Sequence, residues 1–331
     1  MKELIKKAFL IISLISALLI TGCAKTPTVE EQQKESLKMP DQITVQAPIA
    51  PATAPLLKMA GEGLPSGVKI NLIIYKTDEE ATTRVIKNEA DFSILSTNLA
   101  AKLYNREVDI SLANVNTWGI LYLVSTENGI NKWDDLKGKE LYIGARGSTP
   151  DVLTRYFLHK NGLSENDLKI TYLQSPEIAK MIISGLAKNA VLPEPMVTQV
   201  LLNNNKARIV ENFYEDWQTI EGGNAGLPQA GMFVSNSFAE SFPSLVTSFQ
   251  QAYSETLNET VKNPAGIASL VETSLQIPAP VFIQSIERTH LKFVEGEKAK
   301  KDVEIYLSRL LELSPDMVGG KLPDEKFFLK N

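Results

Sequence analysis

Few side chains in this 331-residue sequence have the chemistry to attack a substrate or to hold a metal. There is one cysteine, Cys23 in LLITGCAKTP, and there are two histidines, His159 and His290. Without a second thiol no disulfide can form within the chain, and a cysteine-based metal site has little to build on. Neither histidine stands in a His-x-x-His or His-Glu spacing, so no zinc site is expected. His159 falls late in an expected helix, where its charge suits the dipole, and His290 in ERTHLKF reads as a surface helix position. The stretch GKELYIG from Gly138 lacks P-loop spacing, and no Gly-x-Ser-x-Gly elbow occurs. What remains are hydroxyls, amides and backbone N–H groups at helix starts. The sharpest set is Gly147-Ser148-Thr149, where glycine permits close approach and the N–H groups of Ser148 and Thr149 suit an anion. Ordinary capping explains the same residues, and Ser96 and Thr97 carry the same two readings. Glu194, between two prolines, suits either a cationic ligand or solvent, and Arg146 either steers an anion or points outward.

These residues need elements to hold them, and the sequence supplies a cadence that occurs twice. ITVQAPIA from Ile43, VKINLIIY from Val68 and DFSILST from Asp91 read as strands, each followed by a helix-start signal. Thr53 precedes a periodic apolar stretch, Thr77-Asp78-Glu79-Glu80 has capping-box form, and Ser96-Thr97-Asn98 offers three cap-competent side chains. After residue 139 the pattern returns in ELYIGA, KITYLQ and AVLP, with a proline near the first helical position each time. A helix is expected from the GSTPD turn, with Asp151 in its first turn and Asn161-Gly162 as its stop. Strands alternating with such helices predict βαβ units, and hence an α/β fold of two similar lobes with parallel-rich sheets. The strand Ile120–Ser125 leaves the first lobe and the polar segment Asp216–Gly231 leads back, which makes a two-crossover hinge. The rest is expected to be helical to about Leu313, with Phe242–Lys262 as one long helix ended by Asn263-Pro264. The resulting boundaries are 42–124 with 232–331 for the first lobe and 125–231 for the second.

In such sheets ligands bind beyond the carboxyl ends of the strands. That nominates Ala50, Thr53, Ser96, Thr97, Asn116 and Trp118 from the first lobe. Gly147, Ser148, Thr149, Ser175 and Glu194 come from the second, and Asn224 from the return crossover.

The N-terminus places the molecule. Lys2, Lys6 and Lys7 precede the apolar run Ala8–Ile20, which is too short for a membrane span and of signal-peptide length. Thr21 and Gly22 then precede Cys23, an order that resembles the lipobox of bacterial lipoproteins. The resemblance implies cleavage after residue 22 and a lipid on Cys23. Residues 23–41 are polar and read as a flexible tether. Loss of residues 1–22, with three lysines and one glutamate, takes the formal charge from −5 to −7. Such a balance gives no basic face for nucleic acid.

From Trp133 to Leu202 the sequence resembles the second lobe of ABC-transporter substrate-binding proteins of the nitrate/sulfonate/taurine class, a type II periplasmic-binding fold. The residues that carry it are DLKGKE, the GST turn, GLSENDL and SGLAKNAVLPEP, with GGKLPDEKFF at the end. Asn189 stands where the family has an acidic residue, at a position that is generally a surface turn. The resemblance implies a lipid-anchored, monomeric protein on the extracytoplasmic face of the cell membrane that delivers a small organic anion to a permease and its cytoplasmic ATPase. No metal or other cofactor is implied. The alternative is an exported enzyme on the same fold that processes pyrimidine or menaquinone precursors.

Overall fold

The computed structural model describes residues 38–330. The expected leader 1–22, Cys23 and all but the last few residues of the expected tether lie outside the described residues. Both sheets described next belong to one unit that begins at Pro40.

The first expected series is present as β1 (Gln42–Pro48), α1 (Ala54–Glu62), β2 (Lys69–Tyr75), α2 (Asp78–Ile86), β3 (Phe92–Ser96) and α3 (Thr97–Tyr104). β1 pairs parallel with β2 along its whole length and with β3 at Val45 and Gln46. The α2 start keeps its cap, since the Thr77 hydroxyl accepts from the Glu80 N–H. The Glu80 carboxylate reaches past Thr77 to the Lys76 N–H, so the box closes one residue early. Thr53 does not cap α1 with its side chain, because its hydroxyl donates to the Pro48 carbonyl across a 3-10 turn at Pro51–Thr53.

Three further strands complete a six-stranded sheet. They are β4 (Ile110–Thr117), β10 (Ala230–Ser235) and β11 (Leu291–Glu295), in the order β11-β4-β10-β3-β1-β2. A five-stranded sheet is built from β5 (Leu121–Ser125), β6 (Glu140–Ile143), β7 (Lys169–Tyr172), β8 (Asn189–Pro193) and β9 (Arg208–Asn212), in the order β7-β6-β8-β5-β9. Its helices are α4 (Thr149–Lys160), α5 (Ser175–Ser184), α6 (Met196–Asn203) and α7 (Phe213–Glu221). The connections β4–β5 and β9–β10 join the sheets. Both sheets are mixed: β10 runs antiparallel to β3 and β4, and β5 antiparallel to β8 and β9. A chain that passes between two sheets and comes back must enter some strands from the opposite end.

The C-terminal part is α8 (Asn236–Ser241), α9 (Pro243–Lys262), α10 (Ala268–Leu275), α11 (Ala279–Ser285), β11 and α12 (Gly296–Leu313). The expectation of helices alone to Leu313 is therefore corrected by β11, which pairs antiparallel with β4. Nor do β4 and β9 stand out in the sequence. β4 is buried throughout, yet it reads ISLANVNT. Its polar side chains are satisfied inside, with Asn114 donating to Gln250 and Ser111 to Asn236.

Apolar packing fixes the layers. Phe92 stacks on Phe249 of α9 at 4.1 Å and meets Phe238 edge-on, both Phe92 and Phe249 being fully buried. Each such ring contributes roughly 1.5–3 kcal/mol by leaving water. Around the second sheet, Trp133, Phe157 and Phe213 form a mutually contacting cluster.

Candidate functional site

The carboxyl ends of β1, β3, β6 and β8, with the starts of the helices that follow them, surround a cavity of about 680 Å³. Six nominated residues line it: Ala50, Ser96, Gly147, Ser148, Thr149 and Ser175. One of them, Thr149, reaches across it to Asn98. The Thr149 hydroxyl, from the five-stranded side, donates to Asn98 Oδ1 of α3, from the six-stranded side, at 2.9 Å. The lips are thereby tied to each other.

The other six lie elsewhere, each for a visible reason. The Thr53 hydroxyl is spent on the Pro48 carbonyl at 2.6 Å, and that of Thr97 on the Pro228 carbonyl at 2.7 Å. Asn116 is fully buried between Asn114 and Thr117. Trp118 is buried as well, its indole N–H donating to the Lys292 carbonyl at 2.8 Å. Its ring lies so close over Gly226 that a Cβ there would sit 2.4 Å from a ring carbon. Asn224 is exposed on the return crossover. Glu194 is 2% exposed and neutralised inside the protein. Arg288 Nε donates to its Oε1 at 2.5 Å, and Thr198 donates to it through both its N–H and its hydroxyl. Arg288 Nη2 in turn donates to the Thr198 hydroxyl, and the Arg288 carbonyl accepts from Tyr122. Burial, the strongest influence, pushes the Glu194 carboxyl above its ordinary range, against the pull of Arg288 and Thr198.

The GST turn has its own internal anion. Asp151 is fully buried in the first turn of α4, where its Oδ2 accepts from the Gly147 N–H at 2.7 Å and from Arg155 at 2.8 Å. Tyr172 donates to its Oδ1 at 2.9 Å. The N–H of Ser148 closes onto the Ala145 carbonyl. Positive potential that a bare helix start would offer to a ligand is thus partly answered by the chain itself. Gly147, at φ +76°, supplies the left-handed backbone that turns its N–H inward. Arg146 and His159 are exposed.

Sequence reasoning missed Gln229. It is 4% exposed, lines the cavity, and its Oε1 accepts from the Ile120 N–H at 2.7 Å. The polar segment Asp216–Gly231 was the available signal, but nothing local favours Gln229 over Asn224. Much of the remaining lining is apolar or proline, including Ile94, Leu95, Ile120, Leu121 and Met196. The charged groups in the lining are Lys76 and Asp78, both exposed, and Lys102, which is half-buried. Among the described residues, no group of three or more His, Cys, Asp or Glu side chains could hold a metal ion, and no helix is long and apolar enough to cross a membrane.

Such a cavity can bind and enclose a small molecule, and comparison with known proteins gives the fold its relatives. Residues 65–267, more than half of the chain, match the family described as NMT1/THI5 like. A solved ABC transporter from Parabacteroides distasonis is 26% identical with a TM-score of 0.75, over 88% of this chain and 99% of that one. The periplasmic aliphatic sulphonate binding protein SsuA from Escherichia coli is 15% identical with a TM-score of 0.68, over 87% and 96%. The periplasmic nitrate-binding protein NrtA from Synechocystis PCC 6803 is 10% identical with a TM-score of 0.61, over 84% of each chain. At these last two identities the likeness is one of fold. No curated protein matches the sequence.

Proposed function

The chain belongs to the NMT1/THI5 like family, and on that premise we propose that it is the substrate-binding component of an ABC importer, capturing a small organic solute. The observation that carries this reading is the cavity itself. Carboxyl-end loops of both sheets line it, and Thr149 and Asn98 hydrogen-bond across it. A ligand that touches both sides favours the arrangement in which they meet, by as much as its affinity differs between the open and closed forms. The six-stranded and five-stranded sheets then act as two lobes, with the β4–β5 and β9–β10 connections as the hinge. The solved ABC transporter relative and the sulphonate- and nitrate-binding neighbours support the same reading.

The partners of such a protein are a permease and its cytoplasmic ATPase, and the N-terminal pattern supports a diacylglyceryl anchor on Cys23 at the extracytoplasmic face. Binding and release need no covalent step, and no histidine or cysteine stands in the described cavity lining. Titration calorimetry on the purified protein, starting with sulphonates and nitrate, tests capture. The expected result is a saturable isotherm from which the solute is recovered chemically unchanged. Conversion of a bound compound to product would overturn the reading in favour of an enzyme.

A further inference from the structure

The cavity's hydrogen-bonding groups are not equally available to a ligand. The Tyr75 hydroxyl donates to the Ile94 carbonyl, that of Thr117 to Asn116, and that of Thr289 to the Ile286 carbonyl. Thr149 donates to Asn98. Their protons are committed, so toward a ligand they offer chiefly lone pairs. Asn98 and Gln229 are the reverse case. Both are more than nine-tenths buried, and both have the oxygen of the carboxamide engaged by a protein donor. For Gln229 that donor is a backbone N–H, which can only donate, so the orientation of the amide is fixed. Among the described residues, the NH₂ groups of both have no protein partner.

The charges follow a complementary pattern. The partly buried guanidinium groups nearest the loops are already used, Arg288 on the buried Glu194 and Arg155 on the buried Asp151. Lys76 stands with Asp78 toward solvent, where a charge is screened, and Lys102 in the lining is only half-buried. An anion drawn down to Asn98 and Gln229 would lose its hydration without gaining a fully buried cation among the described lining residues, which is costly. A neutral acceptor loses far less.

We infer that the cavity selects an uncharged solute with two hydrogen-bond acceptors, such as carbonyl, sulfonyl or ring-nitrogen atoms, on a largely apolar frame, and that Gln229, held by a backbone N–H, and Asn98, held by the Thr149 hydroxyl, read it as N–H donors. The sequence led instead to a small organic anion, sulfonate-, taurine- or nitrate-like or a heterocyclic precursor, and the two ligand classes are told apart by experiment. This inference rests on the capture reading above.

Matched pairs separate the two. Calorimetry is run with aliphatic and aromatic carboxamides and sulfonamides, each beside the carboxylate or sulfonate of the same frame, at about 20 mM and about 300 mM NaCl. The expected result is that the neutral member of at least one pair binds about tenfold or more tightly than its anion, with a Kd indifferent to salt. Gln229→Glu and Asn98→Asp keep the engaged oxygen and remove the donor; each weakens that neutral compound about tenfold or more. Ligand-free melting curves that match the parent's establish that both variants are folded. Where one melts early, Gln229→Met or Asn98→Ser replaces it in the same titration. Tighter, salt-sensitive binding of the anionic members overturns the ligand class and leaves capture standing. Unchanged affinity in folded variants removes the two amides from recognition. If no member of any pair binds, the capture reading itself fails.

Discussion

Arg288→Met tests how the five-stranded sheet is fastened to the segment that leads into β11. The substitution keeps the length of the side-chain stem and removes the guanidinium that neutralises Glu194. The Glu194 carboxylate, whose side chain is fully buried, then keeps only the two bonds from Thr198. Removing one partner of a buried ion pair costs about 3–5 kcal/mol, because the other charge stays behind uncompensated. The Arg288 side chain is 27% exposed, so water can enter where the guanidinium was. The low end, about 3 kcal/mol, is therefore the figure to expect, or a melting temperature lower by about 4–5 °C in a chain of this size.

The pH dependence sharpens the test. Burial already holds the Glu194 carboxyl above its ordinary range, and without Arg288 it rises further. An acid whose folded pKa exceeds its unfolded one binds a proton on folding, so stability falls as pH climbs from about 4.3 and levels off above the folded value. The deficit of Arg288→Met should therefore be smaller at about pH 5 than at about pH 8. Glu194→Gln in the same chain removes the stranded charge while keeping an acceptor for Thr198, and should recover about 2 kcal/mol. Urea unfolding at both pH values reads all three. A deficit below about 1 kcal/mol, equal at both pH values and not relieved in the double variant, would refute the buried-pair argument.

Three further outcomes follow from other parts of the molecule. Burial, helped by the neighbouring Asp216, pushes the Glu211 carboxyl up to about 7, so its contribution to stability is present at acid pH and fades as pH rises toward neutrality; Glu211→Gln should flatten that slope in a melting-temperature profile, and an unaltered profile would exclude Glu211 as its source. Gly226→Ala drives a Cβ to within 2.4 and 2.6 Å of two Trp118 ring carbons and 2.9 Å of Asp302 Oδ2. That overpacking should cost about 1–3 kcal/mol and shift the tryptophan fluorescence, and an unchanged urea midpoint would show that the ring has room to move. Cys23→Ser should move the protein from the membrane fraction to the soluble one in the native host; retention on the membrane would remove the lipid anchor.

Much of the fold was legible because it rests on local pattern. The strand Gln42–Pro48, the cap at Thr77 and the helix opened by Thr149-Pro150 are each written in a few adjacent residues, so period, cap and breaker suffice to find them. β4 was hidden because its polar residues are paid for by partners far along the chain, Gln250 and Asn236. β9 and β11 are short strands of half-buried or exposed residues, with too little alternation to declare themselves.

The candidate site divides in the same way. From sequence alone came the class of loop that lines the cavity, since carboxyl ends of strands and starts of helices follow from the βαβ cadence. The single cysteine after a basic and apolar leader likewise suffices for the expectation of a lipid. Only the tertiary structure decided which polar groups remain free. Glu194 is claimed by Arg288, 94 residues away, and Trp118 by the Lys292 carbonyl, 174 residues away. Gln229 faces the cavity because the Ile120 N–H, 109 residues back, holds its oxygen. A side chain's type sets what it can donate or accept, but whether that capacity is spent inside the protein depends on partners that sequence neighbours do not reveal.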